Sequence, residues 1–247
     1  MSLTLVTGAS RGIGAAVALA CARAGHDVAL NYARDATSAE AVATQVRALG
    51  RRAFTLQADL ADEAQVLALF ARIDAEAGAL TGLVNNAGIV VPAARLDEQD
   101  MARWQRVFQV NVMGTLLCCR EAVKRMSTRH GGQGGCIVNL SSRAAVLGSP
   151  GVYVDYAASK GAIDSLTVGL AREVIAEGVR VNGVRPGIID TEIHASSQTT
   201  HLLPAAATGI PIQRLGTADE VAEAVLWLLS PQSGYTVGSM LDVAGGR

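Results

Sequence analysis

The chain has 247 residues, of which 50% are apolar and 17% are charged. That balance supplies enough apolar side chains for a large buried core and excludes a disordered or fibrous protein. The formal net charge of −1 gives no electrostatic basis for binding nucleic acid or an anionic membrane surface.

Short β-rich runs alternate with longer segments of helical period. In chain order the pattern predicts a strand at 3–7, a helix at 12–24, a strand at 27–32, a helix at 38–49, a strand at 53–57, a helix at 63–77, a strand at 82–85, a helix at 101–127, a strand at 135–140, a helix at 152–176, a strand at 180–184, a helix at 218–230 and a strand at 240–243. Strand–helix–strand repeats force parallel pairing, and strands apolar on both faces indicate helices on both sides of a sheet. The pattern predicts one α/β domain over residues 1–247, a doubly wound Rossmann fold with a seven-stranded parallel sheet.

Residues 187–215 interrupt the alternation. The segment contains Pro204 and Pro211 and the polar run HASSQTTH. A stretch of this length inside a compact α/β domain is either disordered or a functional lid. We favour a substrate lid.

The cysteines and histidines show no pattern of a metal site or a disulfide framework. The histidines have no close ligand spacing, and no CxxC pair occurs, so we predict buried free thiols and no metal. The four cysteines are Cys21, Cys118, Cys119 and Cys136. The first residues do not resemble a signal peptide and no apolar run is long enough to span a bilayer, so we expect a cytoplasmic protein.

The segment TGASRGIG follows the first predicted strand and opens the first predicted helix. Its glycines let the backbone turn sharply and let a pyrophosphate approach the helix N terminus, where free N–H groups favour an anion. A strand before and a helix after are the context that this motif requires. The residues predicted to bind the cofactor here are Gly8, Ser10, Arg11, Gly12, Ile13 and Gly14.

No acidic residue stands at the tip of the second predicted strand, where NAD-binding sites usually hold the ribose hydroxyls. Arg11 and Arg34 are suited to a 2′-phosphate there, beside Asn31 and Tyr32. The alternative is that both arginines are solvated loop residues, and the neighbouring Asp35 leaves NAD open. We predict that NADP(H) is preferred over NAD(H).

Tyr156 and Lys160 stand four residues apart on a predicted helix, so their side chains share one face. A free tyrosine has a pKa of about 10, and a nearby ammonium together with an oxidised nicotinamide is expected to lower it. Such a pair donates a proton to a carbonyl oxygen as hydride arrives, or removes one from an alcohol. An upstream serine orients the same oxygen.

With TGASRGIG, the segment SSRAAVLGSPGVYVDYAASK strongly resembles the short-chain dehydrogenase/reductase family, and the resemblance covers essentially the whole chain. Further family motifs appear in order: Asp59 in QADL, Asn85 in NNAG, Asn111 in VNVMG, and the run from Val181 to Gly187. The resemblance implies that Ser142, Tyr156 and Lys160 form the catalytic triad. It also implies that Asn111 joins them through a water-linked proton relay ending at Lys160.

The resemblance further implies contacts with each part of the cofactor. Tyr156 and Lys160 would lie at the nicotinamide end, with Lys160 on the nicotinamide ribose. The other implied contacts are Asp59 and Leu60 at the adenine, Asn85, Ala87 and Gly88 at the ribose, and Pro186, Gly187, Ile189 and Thr191 at the nicotinamide and pyrophosphate.

One departure from the family concerns the serine, which usually lies one residue nearer the tyrosine than Ser142 does. We place the extra residue in the loop at 148–152, because the SSRAA context fixes Ser142. Ser141 is the alternative.

The substrate pocket is expected to take residues from the segment after Ser142, from Val152 and Tyr153, from 91–95 and from 193–212. Its mixed lining leaves the substrate open: Val91, Leu202 and Leu203 are apolar, whereas His194, Gln198 and His201 are polar. Within the family the chain looks most like 3-oxoacyl-[acyl-carrier-protein] reductases and sugar-alcohol dehydrogenases. We favour a small ketone or secondary alcohol, with an acyl-carrier reductase, an NAD-dependent sugar or polyol dehydrogenase, and a non-catalytic NADP-binding module as alternatives.

Two partners follow from the resemblance. Arg129 and Arg172 match basic positions that dock an acidic acyl carrier protein in such reductases, although they also suit an exposed helix surface. The family pairs its subunits through the helices predicted here at 101–127 and 152–176 and through its last strand. We therefore expect a homotetramer with 222 symmetry, the alternative being that these apolar faces lie inside one subunit.

Overall fold

A computed structural model describes residues 2–191 and 208–247 of the chain. Its centre is a seven-stranded parallel sheet with the strand order β3-β2-β1-β4-β5-β6-β7. The strands are β1 (Leu3–Val6), β2 (Asp27–Tyr32), β3 (Ala53–Gln57), β4 (Gly82–Asn85), β5 (Gly135–Leu140), β6 (Val179–Pro186) and β7 (Met240–Val243). The predicted doubly wound α/β fold is confirmed.

The helices flank both faces of the sheet. They are α1 (Gly12–Arg23), α2 (Ala36–Ala48), α3 (Glu63–Arg72), α4 (Met101–Phe108), α5 (Gly114–Met126), α6 (Ala144–Leu147), α7 (Val154–Val174) and α8 (Ala218–Leu229). Side chains of Asp35, Asp62, Asp100 and Thr217 accept hydrogen bonds from the first backbone N–H groups of α2, α3, α4 and α8. These caps explain where the four helices begin.

Three predicted helices differ in detail from the observed ones. The helix predicted at 101–127 consists of α4, a π-helical turn at Gln109–Met113 and α5, and a second π-helical turn at Ile73–Ala77 follows α3. Such turns insert one residue into a helix and are not visible in hydrophobic periodicity. The helix predicted from 152 begins at Val154, because the N–H groups of Val152 and Tyr153 bond the Ser149 carbonyl in a turn.

Alternate residues of each central strand pack into separate cores on the two faces of the sheet. On one face Val6 and Val84 contact α1, α2 and α8, while Leu5 and Leu83 pack with α3, α5 and α7 on the other. This alternation follows from the two-residue period of a strand. The four cysteines are free and buried within these cores, which confirms their prediction.

The strand order reverses at β1, because β2 and β3 follow on one side of it and β4 to β7 on the other. In open parallel sheets this point leaves a crevice at the carboxyl ends of the strands, where ligands bind. Part of the predicted lid, with His194, Gln198, His201, Leu202 and Leu203, lies outside the described residues. Across 2–191 and 208–247, no helix is long and apolar enough to cross a bilayer, and no three His, Cys, Asp or Glu side chains are grouped as metal ligands.

Candidate active site

Two connected cavities open at the carboxyl edge of the sheet. The first, called here the long crevice, has a volume of about 770 Å³, and the second, the inner cavity, has about 460 Å³. Predicted residues that line the long crevice are Gly8, Ser10, Arg11, Gly12, Ile13, Asn31, Tyr32, Arg34, Asp59, Leu60, Ala87, Gly88 and Thr191. Predicted residues that line the inner cavity are Ile13, Gly88, Ser142, Tyr156, Lys160, Pro186, Gly187, Ile189 and Thr191. Shared walls at Ile13, Gly88 and Thr191 make the two cavities continuous.

The glycine turn brings the start of α1 against the end of β1. A Cβ atom at Gly14 would lie 2.3 Å from the Gly8 carbonyl oxygen and 2.5 Å from Asn86 Nδ2, so only glycine fits. Arg11 precedes α1 without a side-chain cap, and no acidic residue lies in the first turn. The N terminus of α1 therefore offers backbone N–H groups and a positive dipole end, which suit the phosphates of a dinucleotide.

Asn86 and Thr7 join this turn to the end of β4, and sequence reasoning assigned neither of them. Asn86 Nδ2 donates to the carbonyl oxygens of Thr7 and Gly8 at 2.9 and 3.1 Å. Thr7 Oγ1 accepts from the N–H groups of Asn86 and Ala87, each at 3.0 Å. Asn86 also lines both cavities, so the second asparagine of the NNAG motif is the one that shapes the crevice.

Asn85 corrects a prediction. It lines neither cavity, and its Nδ2 donates to Asn139 Oδ1 at 2.9 Å and to Cys119 Sγ at 3.2 Å in the core. Neighbouring residues at a strand end point to opposite faces, so Asn85 and Asn86 cannot both face the crevice. The structure places the Asn85 side chain in the core and outside the walls of both cavities, which differs from the expected side-chain contact with the cofactor's ribose.

The far end of the crevice carries the two predicted arginines. Arg11 and Arg34 are exposed on its wall, whereas Asp35 is engaged as the cap of α2, accepting from the Ser38 N–H at 2.9 Å. The buried Asn31 side chain accepts a hydrogen bond from the Gly8 N–H and donates one to the Ala58 carbonyl. It therefore fixes the backbone of two residues that line the crevice. This end is therefore cationic and suits a phosphate.

Asp59 lies at the opposite wall of the crevice. Its Oδ1 accepts from the Ala61 N–H at 3.0 Å, and its Oδ2 is 3.3 Å from Arg106 Nη2. Arg106 also lines the crevice and was not predicted from the sequence. The carboxylate is thus fixed at the position where the family resemblance implies an adenine contact.

Ser142, Tyr156 and Lys160 meet in the inner cavity. Ser142 follows β5 and Tyr156 lies on α7, and both residues line this cavity, where the Ser142 side chain favours the ionised form of the Tyr156 phenol and so lowers its pKa. Lys160 Nζ lies 5.8 Å from the centre of the Tyr156 ring and donates to the Leu140 carbonyl at 2.7 Å. Ser141 donates instead to the backbone carbonyl of Lys160 at 3.1 Å, so its hydroxyl proton is already engaged, which favours Ser142 as the serine that acts with the phenol.

Burial controls the protonation of this pair. It raises the pKa of Tyr156 to about 12, although the Ser142 side chain opposes the rise. Burial also lowers the pKa of Lys160 to about 8, opposed by the charge of Asp164. The predicted lowering of the phenol pKa is not produced by the protein's own groups, because loss of solvation outweighs the opposing influence of Ser142. At neutral pH the phenol keeps its proton and is set to donate it.

Asn111 lies in the π-helical turn between α4 and α5. Its Oδ1 accepts from the Ile89 N–H at 2.8 Å, and its Nδ2 donates to Ser159 Oγ at 3.1 Å. A Cβ atom at Gly88 would lie 3.4 Å from Asn111 Oδ1 and 3.5 Å from Lys160 Nζ, so both side chains border the same glycine. The structure brings Asn111 near Lys160, and the water-linked relay between them stays a prediction.

Comparisons with known proteins agree with this geometry. A family model described as enoyl-(acyl carrier protein) reductase matches residues 8–247. The chain is 52% identical over 247 residues to the uncharacterized oxidoreductase YgfF of Escherichia coli K12, covering 100% of both chains. It is 37% identical over 244 residues to the 3-oxoacyl-[acyl-carrier-protein] reductase FabG of Staphylococcus aureus, covering 98% of this chain and 96% of that one.

Solved structures are also similar to this chain over nearly its whole length. A short-chain dehydrogenase/reductase from Serratia marcescens superposes on this chain with a TM-score of 0.91 and is 34% identical to it. A short-chain dehydrogenase from Burkholderia cenocepacia J2315 in complex with NADP superposes with a TM-score of 0.91 and is 38% identical. Each alignment covers 99% of this chain and 97% of the other.

The fold, the cavities and these relatives define an oxidoreductase that acts on a CH–OH or carbonyl carbon with a nicotinamide cofactor. The chain belongs to the short-chain dehydrogenase/reductase family, as its motifs predict.

Proposed function

We propose that the protein transfers hydride reversibly between NADP(H) and a ketone or secondary alcohol, using Ser142, Tyr156 and Lys160. The observation that carries this proposal is that Ser142, Tyr156 and Lys160 line one cavity, with Lys160 Nζ 5.8 Å from the centre of the Tyr156 ring, and that this cavity shares walls with the long crevice. The close glycine turn and the uncapped start of α1 fit a dinucleotide pyrophosphate.

The chain's own residues manage the proton. NADPH, when bound, supplies the hydride that reduces the carbonyl carbon. Tyr156 donates its phenol proton to the carbonyl oxygen, and Ser142 hydrogen-bonds to the same oxygen and orients it. The Lys160 ammonium stabilises the phenolate that remains and passes a proton back to it, and water ordered by Asn111 is proposed to reprotonate Lys160. Alcohol oxidation runs through the same groups in reverse.

A preference for NADP(H) over NAD(H) is part of the proposal. Arg11 and Arg34 are the exposed cations at the end of the crevice, and guanidinium groups bind phosphate in two-bond geometry. The Burkholderia relative is described in complex with NADP, which supports the same choice.

A second candidate is reduction of a 3-oxoacyl group on an acyl carrier protein, which the FabG relatives favour. Arg129 follows α5 and precedes β5, at the amino edge of the sheet and therefore opposite the inner cavity. A carrier docked on Arg129 would not cover the cavity of the same chain. We therefore propose a small ketone or secondary alcohol as the first choice of substrate.

The homotetramer with 222 symmetry and the cytoplasmic location stay predictions.

Following NADPH absorbance across ketones, 3-oxoacyl thioesters, quinones and sugars tests the proposal, with NADH run in parallel. We expect turnover of at least one ketone, and a loss of kcat at least ten times larger in Ser142→Ala than in Ser141→Ala, since the Ser141 hydroxyl is bonded to the Lys160 carbonyl and Ser142 is left to orient the substrate oxygen. Tight NADPH binding without turnover of any carbonyl compound would favour the non-catalytic module.

A further inference from the structure

The inner cavity carries cationic side chains in addition to Lys160. Among its described lining residues, the charged ones are Arg143, Lys160 and Arg247, and none is acidic. Arg143 Nη1 donates to Asp242 Oδ2 at 2.6 Å, so its charge is balanced. Lys160 is bonded to the Leu140 carbonyl beside the catalytic phenol. Arg247 also lines the cavity, forms no ion pair with a side chain of residues 2–191 or 208–246, and serves no step of the proposed mechanism.

The fold fixes the segment that carries Arg247. Gly187 N–H donates to the Val243 carbonyl at 2.9 Å, and Ile212 N–H donates to the Gly245 carbonyl at 3.1 Å. Gly245 has a φ of 63°, and a Cβ atom there would lie 2.6 Å from Ile212 Cγ2. The Arg247 N–H closes the turn on the Ala244 carbonyl at 3.2 Å. The turn after β7 is therefore packed tightly and returns residue 247 to the cavity wall.

Tyr153 connects Arg247 with the reacting position. Its ring packs edge-to-face on that of Tyr156, with 5.8 Å between the ring centres and 87° between their planes. Tyr153 and Arg247 line the same cavity, and the positive charge of Arg247 opposes the rise that burial causes in the pKa of the Tyr153 phenol. Apolar wall residues Leu147 and Val152 lie in the same cavity. The cavity wall thus combines a proton donor at Tyr156, apolar and aromatic surface at Leu147, Val152 and Tyr153, and a cation at Arg247.

We propose that Arg247 binds a carboxylate of the substrate, so that the preferred ketone or alcohol bears a carboxylate separated from its reacting carbon by an apolar body. This inference rests on the proposed oxidoreductase function of the same cavity. A guanidinium pairs with a carboxylate through two parallel hydrogen bonds. One unbalanced cation matches the single charge of a carboxylate better than the nearly double charge of a phosphate monoester.

Matched ketones test the inference. We would measure kcat/KM with NADPH for 3- and 4-acetylbenzoate and for their methyl esters, which keep the ketone and the ring but lose the charge. The native enzyme is expected to favour at least one carboxylate over its ester by about tenfold, the effect of a partly exposed charge-assisted hydrogen bond. Arg247→Gln is expected to bring that ratio close to one, and Arg247→Lys to retain part of it. Arg23→Gln, which removes an exposed arginine on α1 remote from the cavity, is the control and should keep the native ratio.

The outcomes separate the two proposals. If the enzyme reduces the esters as readily as the carboxylates, or if Arg247→Gln keeps the native ratio, the carboxylate site is wrong and the oxidoreductase proposal stands. If none of these ketones and no compound of the broader carbonyl panel is reduced, the oxidoreductase proposal fails and the carboxylate site fails with it.

Discussion

Arg103 and Asp155 form a buried ion pair immediately before Tyr156, the proposed proton donor. Arg103 Nε donates to Asp155 Oδ2 at 2.7 Å and Nη2 donates to Oδ1 at 3.3 Å, with only 14% and 1% of the two side chains exposed. Arg103 Nη1 also donates to the Pro92 carbonyl at 2.6 Å. One guanidinium thus ties α4 and the crevice wall at Pro92 to the first turn of α7, which carries Tyr156.

Breaking this pair from one side is expected to destabilise the protein strongly. Arg103→Met leaves the Asp155 carboxylate buried without its counter-charge, and the expected loss in the free energy of unfolding is about 3–5 kcal/mol, measured by urea denaturation. The double variant Arg103→Met/Asp155→Asn should lose less. Arg95→Gln is the control, since the Arg95–Asp97 pair has 71% of both side chains exposed and should change stability by less than about 1 kcal/mol. A loss below that limit in Arg103→Met would contradict the structural role.

Arg11 and Arg34 are expected to set the cofactor preference. Replacing both with alanine should lower kcat/KM for NADPH by roughly tenfold to a hundredfold, because charge-assisted bonds to the 2′-phosphate are lost. The value for NADH should change much less, since it has no phosphate at that position. Steady-state kinetics with both cofactors measures the effect, and equal losses for NADH and NADPH would show that the arginines do not recognise this phosphate.

Lys160 is expected to make stability depend on pH in the alkaline range. Burial lowers its pKa from 10.5 to about 8, so between these values the unfolded chain holds a proton that the folded chain has released. Stability relative to Lys160→Met should therefore rise with pH across this window, by about 3 kcal/mol in total. Below pH 8 Lys160 is protonated in both the folded and the unfolded chain, so the full free-energy cost of burying its ammonium lowers stability. Urea unfolding at pH 7 and above pH 10 measures it, with Lys124→Met as the surface control. A constant difference between native and variant would contradict the buried charge.

Substitutions of the two asparagines of the NNAG motif are expected to have different effects, one on cofactor binding and the other on stability. Asn86→Ala removes the bonds to Thr7 and Gly8, so the KM for NADPH should rise by roughly tenfold as the glycine turn loosens. Asn85→Ala should change that KM by less than about twofold, while lowering stability by about 1–3 kcal/mol, because it removes the amide donor that bonds Asn139 Oδ1 in the core. A rise in the KM for NADPH in Asn85→Ala but not in Asn86→Ala would contradict this account and would indicate that Asn85 contacts the cofactor.

Much of the fold follows from local pattern. The apolar strands and the helical periods predict all seven strands, and the spacing of Tyr156 and Lys160 places both on one helical face. The glycine turn is equally local, since its close contacts lie next to the first strand. These features need no knowledge of distant residues, and they were therefore predictable.

The remaining features depend on contacts between distant parts of the chain. Which of Asn85 and Asn86 faces the crevice depends on where β4 ends. The π-helical turn at Asn111 is hidden from the periodicity, and the pKa of Tyr156 depends on complete burial of the phenol. Arg247 is 91 positions from Tyr156 in the numbering of the chain, and only the turn after β7 brings it to the same cavity.

The central claim is that the Tyr156 phenol is the proton donor in NADPH-dependent carbonyl reduction. Its most direct test is kcat of Tyr156→Phe at saturating NADPH and ketone, with the NADPH dissociation constant measured by fluorescence. We predict that kcat falls by about 10²–10⁴-fold while the dissociation constant stays within a few-fold of native, since the phenyl ring still fills the cavity wall. Retention of kcat within a few-fold of native would contradict the claim.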